Sequence, residues 1–238
     1  MSKYAEIIYP NDNKNTYPFK LAKHLYEKFI FDRELKAEST KVLDIGCSKG
    51  TALINFSKCS DNLELYGVDL REENLPDNIT FKECDLEKES LPFDDNTFDI
   101  VYSKSVLEHV FNTSNFISEA KRVLKPGGLF LALTPDWKSQ QDFFWDDFTH
   151  VKPFTKKGLR DALLIFGFTN SSCEYFYQLP FIWNRPWLSF IPVLISSICP
   201  DFLKWKTKEH RNTKDNKLIR FSKEKMLLCY GEKEKEND

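Results

Sequence analysis

The sequence predicts an α/β fold with a doubly wound sheet, and three observations carry this prediction. Apolar runs of strand length alternate with helical patterns between residues 41 and 135. Glycines or acidic residues directly follow several of these runs, and "PGG" at 126–128 separates a helical pattern from a fifth run. Alternation of this kind indicates parallel strands joined by right-handed helical crossovers.

Taken in chain order, the predicted elements begin with a helix at 20–35. The strands that follow are 41–45, 63–70, 79–86, 98–103 and 129–135, with helices at 51–58 and 116–125. The C-terminal third adds a helix over 155–168, with Thr155 as N-cap and Gly167 near its end, and strands over 169–178 and 223–233. Residues 179–215 form an aromatic, proline-rich insertion before the last strand, and we expect it to set specificity.

Length and composition predict one globular domain, because 41% of the 238 residues are hydrophobic and 29% are charged. The formal net charge of −2 argues against a nucleic-acid partner held by bulk electrostatics. Six cysteines include no CxxC pair, which favours free thiols in a reducing compartment. The N-terminal stretch lacks the apolar region of a signal peptide, so a cytoplasmic location is expected.

The stretch KVLDIGCSKG at 41–50 predicts a ligand site. Gly46 and Gly50 follow the first strand, where glycine allows a sharp turn or the close approach of a ligand. Asp44 precedes them, Asp69 ends the second strand and Asp85 ends the third. Ligands of open α/β sheets bind beyond these strand ends, and a carboxylate there can accept hydrogen bonds from both hydroxyls of a ribose. A nucleotide-like ligand is therefore indicated.

The residues around the two glycines indicate which ligand this is. The dinucleotide pattern G-x-G-x-x-G, started at Gly46, is broken by Ser48 and Thr51. Asp44 would also lie badly beside a pyrophosphate but well beside an ammonium or sulfonium group. The sequence therefore favours S-adenosylmethionine over a nicotinamide cofactor, and a nicotinamide-dependent oxidoreductase is the less favoured alternative.

These motifs resemble those of the class I S-adenosylmethionine-dependent methyltransferases, and the chain looks like a type 11 member of that family. VLDIGCSKG is similar to the family's first motif, D-x-G-x-G-x-G, with Ser48 where glycine is commoner. YGVDL, ECDLEKESLPFDDNTFDIVYSKSVLEHV and RVLKPGGLFLALTPD are similar to its later motifs, so the resemblance covers residues 41–136.

The resemblance implies a Rossmann-like, seven-stranded, mostly parallel sheet with helices on both faces and an antiparallel last strand. It implies a single domain over 1–238, with a helical segment at 1–37, a cofactor-binding core at 38–136 and a substrate-side part at 137–238. The implied cofactor-binding residues are Asp44, Gly46, Cys47 and Gly50 for the methionine portion, Asp69 and Leu70 for the ribose, Asp85 and Leu86 for the adenine, and Ser103 near the methyl group. Cys47 is expected to contribute its backbone rather than a reactive thiol.

Methyl transfer to a hydroxyl requires a group that takes the acceptor's proton. His150 follows the fifth strand, on the side where acceptors lie in this fold, and Asp147 is close enough in sequence to orient it. We predict these two as the catalytic pair; the alternative is a loop histidine that fixes the helix start at Thr155. His109 is interpreted mainly as a packing residue. No metal is implied, because no clustered set of histidine and carboxylate ligands is evident.

The segment 179–200 leaves three interpretations open: a lid over the substrate, a homodimer contact, or a peripheral membrane segment. A membrane span is disfavoured, because Asn184, Arg185 and the prolines at 180, 186 and 192 interrupt the apolar run. The basic run at 204–217 would favour an anionic lipid surface on the cytoplasmic side. The predicted acceptor is a small molecule, a sugar or a lipid-linked saccharide. A non-catalytic S-adenosylmethionine-binding protein is the other alternative.

Overall fold

The computed structural model describes residues 17–204 and 216–235. These residues form an α/β fold around one seven-stranded sheet with the strand order β3-β2-β1-β4-β5-β7-β6. The strands are β1 (Thr40–Ile45), β2 (Leu63–Asp69), β3 (Ile79–Glu83), β4 (Phe98–Lys104), β5 (Leu124–Pro135), β6 (Phe168–Phe176) and β7 (Met226–Lys233). Strands β1 to β5 pair in parallel, whereas β7 runs antiparallel to both β5 and β6. The predicted fold class and the antiparallel last strand are confirmed.

The helices lie between the strands in the order that the alternation predicted. The α-helices are α1 (Tyr17–Leu25), α2 (Phe31–Glu34), α3 (Thr51–Phe56), α4 (Thr113–Val123), α5 (Trp137–Gln140), α6 (Lys156–Ile165), α7 (Pro180–Trp183), α8 (Phe190–Ile198) and α9 (Lys217–Lys223). A π-helical turn, Tyr26–Ile30, joins α1 to α2. The predicted cap of α6 is confirmed, since the Thr155 side chain accepts a hydrogen bond from the Gly158 N–H. The helix α9 was not predicted.

Two hydrophobic clusters cover the two faces of the sheet. Leu43 and Phe130 belong to one cluster and Val42 and Leu131 to the other, and all four side chains are fully buried. Successive strand residues point to opposite faces, so a strand that is covered on both faces reads as a continuous apolar run. This double covering leaves the strand ends as the exposed part of the sheet.

The expectation of free thiols is wrong for two of the six cysteines. Cys173 on β6 and Cys229 on β7 face each other in the antiparallel register and are joined by a disulfide. Cys47, Cys59 and Cys84 are free, as is Cys199. The spacing of 56 residues gave no sign of this pair, because only the strand register brings the two positions together.

The insertion is described as far as Lys204, and residues 205–215 of the predicted basic run lie outside the described residues. Pro180 and Pro186 each begin a short helical piece, as proline commonly does at the first helical position. No helix among the described residues is long and apolar enough to span a membrane. Lys204 does not fit the predicted contact of this run with a lipid surface: it is 2% exposed, 3.6 Å from the Glu224 carboxylate and 3.7 Å from the centre of the Phe143 ring. Lys217, at the other end of the run, is exposed.

Candidate functional site

The loop after β1 requires both of its glycines for conformation and for packing. Gly46 and Gly50 have φ values of +80° and +66°, which side-chain-bearing residues rarely adopt. A Cβ on Gly46 would lie 2.3 Å from the Val106 side chain, and one on Gly50 would lie 2.5 Å from the Leu75 side chain. Ser48 also has a positive φ, +46°, and therefore bears some strain. The glycines thus serve the turn directly, and they keep the loop close to the strand ends.

Asp44 and Asp69, which we call the carboxylate pair, lie at the ends of β1 and β2. Asp44 is 4% exposed, and its burial, together with the nearby Asp69 carboxylate, raises its pKa to about 8, although Lys104 opposes the shift. A bound cation would relieve both the desolvation and the repulsion. The pair is therefore suited to a positively charged ligand group.

Asp69 is held in a fixed orientation by the backbone. One carboxylate oxygen accepts from the Ser48 N–H and the other from the Leu70 N–H, each at 2.7 Å. A carboxylate has about four lone-pair positions, so each oxygen keeps capacity for a ligand hydroxyl. The side chain of Leu70, 47% exposed, offers an apolar surface beside it. The predicted role of Asp69 and Leu70 toward a ribose stays a prediction.

The remaining residues of the predicted cofactor set have contacts of their own. Asp85 accepts hydrogen bonds from the Lys88 ammonium at 2.7 Å and the Glu87 N–H at 3.1 Å, and the Lys88 contact lowers the pKa of Asp85. Leu86 is half-buried and packs against the core. Ser103 is buried and donates to the Ile45 carbonyl at 3.0 Å. Their roles toward a cofactor stay predictions.

Cys47 is a buried side chain that packs against β2. A Cβ on Gly67 would lie 2.7 Å from its sulfur, so the two chain segments meet closely at this point. Burial, followed by the charges of Asp44 and Asp69, raises the pKa of the thiol well above its usual range. The thiol therefore stays protonated, which agrees with the expectation that Cys47 is unreactive.

A second group of polar residues, the histidine cluster, consists of Glu108, His109 and His150. One ligand-type atom from each of the three lies within 4.8 Å of the other two. The backbone explains this proximity: Val151 and Lys152 donate their N–H groups to the Glu108 carbonyl at 2.8 and 3.1 Å. The loop that carries His150 is thereby joined to the turn that follows β4.

Hydrogen bonds fix the tautomer of each imidazole. Nδ1 of His150 lies 2.6 Å from the Phe144 carbonyl, so it must carry the proton. Nδ1 of His109 lies 3.2 Å from the Thr149 carbonyl and 2.9 Å from the Thr149 hydroxyl, which in turn donates to Asp147 at 2.7 Å. In the neutral state each ring then has an unprotonated Nε2. Asp147 is thus linked through Thr149 to His109, and a backbone carbonyl orients His150.

Glu108 and Lys104 are candidate functional residues that the sequence analysis missed. Glu108 is 1% exposed and accepts from the Thr134 hydroxyl at 2.8 Å, and burial raises its pKa to about 7. Burial lowers the pKa of Lys104, while Glu108 and Asp44 both oppose that shift. Lys104 therefore links the carboxylate pair to the histidine cluster electrostatically. The sequence feature that could have identified them is Lys104 at the end of β4, four residues before the dipeptide Glu108-His109.

An open sheet with a glycine turn after β1 and acidic residues ending β1 and β2 defines the class of α/β proteins that bind nucleotide-like ligands at this edge. Residues 43–132 match the family model described as a methyltransferase domain. This part of the chain is therefore similar to a methyltransferase domain, and the class I S-adenosylmethionine-dependent resemblance found in the motifs is confirmed over these residues. The cofactor of this class is S-adenosylmethionine.

Individual proteins agree with this assignment. The chain is 37% identical over 106 residues to an uncharacterized methyltransferase of Schizosaccharomyces pombe, a match that covers 38% of each chain. It is 30% identical over 116 residues to a ubiquinone biosynthesis O-methyltransferase of Cereibacter sphaeroides, covering 44% of this chain and 46% of that protein. The chain thus spans less than half the length of these two relatives.

A solved structure extends the likeness to the whole fold. The crystal structure of a SAM-dependent methyltransferase from Archaeoglobus fulgidus matches with a TM-score of 0.60 at 18% identity. The match covers 97% of this chain and 98% of that one, so the C-terminal part beyond residue 132 shares the fold as well.

Proposed function

We propose that the protein transfers the methyl group of S-adenosylmethionine to an oxygen atom of a small-molecule or glycan acceptor. The observation that carries the proposal is the buried carboxylate of Asp44 beside the glycine turn, with a pKa raised to about 8 in the absence of a ligand cation. When bound, S-adenosylmethionine supplies an electrophilic methyl group on a sulfonium. Asp44, Gly46, Cys47 and Gly50 would surround its methionine portion, because a cation there offsets the cost of burying Asp44.

The remaining contacts follow the order of the strands. Asp69 and Leu70 would hold the ribose through the carboxylate oxygens that already accept from Ser48 and Leu70. Asp85 and Leu86 would contact the adenine at the next strand end, and Ser103 would lie on the side of the pocket toward the transferred group.

The proton of the acceptor hydroxyl would pass to His150. Its Nδ1 is bonded to the Phe144 carbonyl, which supports Nε2 as the atom that accepts the proton. Asp147 would act indirectly. Its carboxylate accepts a hydrogen bond from the Thr149 hydroxyl, which in turn contacts Nδ1 of His109. The ubiquinone biosynthesis O-methyltransferase among the relatives supports oxygen as the atom methylated.

The acceptor would be lipid-linked, with the enzyme attached peripherally to the cytoplasmic face of a membrane. Large apolar side chains of the insertion support this: Trp187, Phe190, Ile198 and Phe202 are 71%, 57%, 68% and 73% exposed. Clustered exposure of this kind needs a partner surface. Lys204 is buried and Lys223 is paired with Asp201 at 2.9 Å, so these two lysines would contribute less to attachment than the apolar contacts.

Calorimetric titration with S-adenosylhomocysteine and with NAD⁺ tests the cofactor. Binding of the first and not the second is expected. Asp69→Ala should weaken S-adenosylhomocysteine binding by roughly 30–150-fold, about 2–3 kcal/mol, since two ligand hydroxyls lose their acceptor. Asp61→Ala is the matched control, because Asp61 precedes the opposite end of β2. Equal affinities in the two variants would refute the ribose assignment.

Turnover separates an enzyme from a non-catalytic binding protein. A panel of hydroxylated quinones, sugars and lipid-linked saccharides, assayed for S-adenosylhomocysteine release, should identify an acceptor. Release with none of them, despite tight cofactor binding, would favour the binding protein.

Co-sedimentation with anionic vesicles at low and at physiological salt tests the membrane attachment. Binding that weakens as salt rises, and that Trp187→Ala reduces, is expected. Trp145→Ala is the matched control, because Trp145 is 54% exposed but lies outside the insertion. Absence of vesicle binding would favour the lid or, if the mass in solution doubles with concentration, the homodimer contact.

A further inference from the structure

The histidine cluster combines three side chains that the proposed cofactor contacts do not use. Glu108 and His109 come from the turn after β4, and His150 comes from the loop after β5. We propose that Glu108, His109 and His150 bind a divalent first-row transition metal, with Zn²⁺ the best fit. This inference goes beyond the proposed function, and it revises the expectation that no metal is implied.

The donor set selects the class of metal. Two imidazole nitrogens and one carboxylate oxygen suit Zn²⁺ and its first-row neighbours, whereas Mg²⁺ and Ca²⁺ prefer oxygen ligands alone. The ligand-type atoms lie within 4.8 Å of one another. Donors at about 2.0–2.1 Å from one tetrahedral ion lie about 3.3 Å apart, so modest side-chain rotations would bring them onto a common ion.

Each of the three side chains is also oriented by a further hydrogen bond. Thr134 donates to the Glu108 carboxylate at 2.8 Å, and the Phe144 carbonyl holds Nδ1 of His150. The Thr149 hydroxyl lies 2.9 Å from Nδ1 of His109 and donates to Asp147. Hydrogen bonds of this kind to the second ring nitrogen fix the ligating tautomer in metal sites and orient the ligands. The cluster therefore has a supporting shell as well as ligands.

The buried negative charge of Glu108 favours a bound cation in the histidine cluster. Glu108 is buried, and a buried carboxylate is stable only when it is protonated or compensated by a cation. Lys104 supplies part of this compensation, and it also lies near Asp44, so it is shared between two carboxylates. Three protein ligands leave a fourth position on a tetrahedral ion, as catalytic rather than structural zinc sites do. That position can take an oxygen of water or of an acceptor.

The metal changes the role of His150. A nitrogen that binds an ion cannot accept a proton at the same time, so in the metal-loaded protein His150 would be a ligand and not the base. The metal-free and metal-loaded forms are therefore expected to differ in how the acceptor is activated, while cofactor binding at the carboxylate pair is the same in both.

The test uses the full chain after chelator treatment, titrated with Co²⁺ and then Zn²⁺ in the absence of cofactor and acceptor. One equivalent of Co²⁺ should bind, with visible d–d absorption, and Zn²⁺ should displace it. His109→Ala and His150→Ala should each weaken Zn²⁺ binding by about 100-fold or more, beyond the 10–100-fold that loss of a supporting residue costs. Glu108→Gln keeps a partner for Thr134 but removes the charge, and it should weaken binding similarly.

His24→Ala is the matched control, because His24 stacks on Trp183 with ring centres 5.0 Å apart and lies outside the cluster. It should bind Co²⁺ as the parent does. S-adenosylhomocysteine affinity, measured on every variant, verifies the fold and keeps this test separate from that of the proposed function. Failure of the parent to bind either metal, or equal binding by the parent, His150→Ala and Glu108→Gln, would overturn the proposal.

Discussion

The carboxylate pair and the histidine cluster lie at the same edge of the sheet but are assembled differently. Asp44 and Asp69 belong to one strand–helix–strand unit, and each ends a strand, so the fold alone brings them together. Glu108 and His150 lie on separate loops that are joined by backbone hydrogen bonds. A site on consecutive strand ends is therefore set by the fold, whereas a site between loops depends on individual contacts.

The largest expected effect is a loss of turnover when the histidine cluster is changed. His150→Ala should lower kcat by roughly 10²–10⁴-fold with the acceptor that the panel identifies, because the proton acceptor or metal ligand is lost. S-adenosylhomocysteine affinity should stay unchanged in calorimetry, because the carboxylate pair is intact. Unchanged turnover would show that His150 only stabilises its loop, and the carboxylate pair would then be the one functional group of the two.

The next effect is a loss of stability when the glycine turn beside the carboxylate pair is changed. Gly46→Ala should lower the free energy of unfolding by about 3 kcal/mol, because it combines a left-handed backbone with overpacking against Val106. Gly158→Ala is the control, since Gly158 lies in the helical backbone of α6 and lacks a positive φ. Urea denaturation of both variants gives the comparison. Equal stabilities would show that the turn is less constrained than its geometry indicates.

A smaller effect follows from the pKa of Asp44, which is about 8 without ligand. A ligand cation requires the ionised carboxylate, so binding below this pH must release a proton. S-adenosylhomocysteine affinity should therefore rise with pH between about 6 and 8, by up to about tenfold per unit, and then level off.

Calorimetry in two buffers of different ionisation enthalpy measures the released proton directly. The ligand's own amino group titrates near the upper end of this range, so Asp44→Asn is the control that isolates the contribution of Asp44. The same pH dependence in the parent and in Asp44→Asn would contradict the assignment.

The smallest expected effect is at Ser48, whose φ is +46°. Ser48→Gly should raise the free energy of unfolding by at most about 1 kcal/mol, because relief of the left-handed strain is partly offset by the greater freedom of glycine in the unfolded chain. The N–H that donates to Asp69 is retained, so cofactor affinity should hold. Urea denaturation checks the stability, and calorimetry with S-adenosylhomocysteine checks the affinity. A clear loss of stability would indicate a role for the Ser48 hydroxyl.

Much of the fold could be predicted from the sequence, because strands that are buried on both faces appear as apolar runs and the turns between them carry glycine or proline. The carboxylate pair could be predicted for the same reason. The pairing of Cys173 with Cys229 and the burial of Lys204 could not, since each depends on segments that meet only in three dimensions. The histidine cluster is intermediate: His150 can be predicted as a candidate, but the burial of Glu108 cannot, since Lys104 marks only its place in the chain and the burial depends on the loop that carries His150.

In the part of the chain that the structure describes, β7 is the last strand, but it lies between β5 and β6 in the sheet. Among the described strands, β6 pairs with β7 alone, and β7 also closes the open edge of β5, where Leu129 lies opposite Glu232. The ribosome therefore releases β5 and β6 before the strand that pairs with both of them. Such edges bind other chains readily, and long-range pairing is slow. Nascent chains that stall before residue 226 therefore leave these edges of β5 and β6 unpaired, and we expect aggregation to be strongest at that stage.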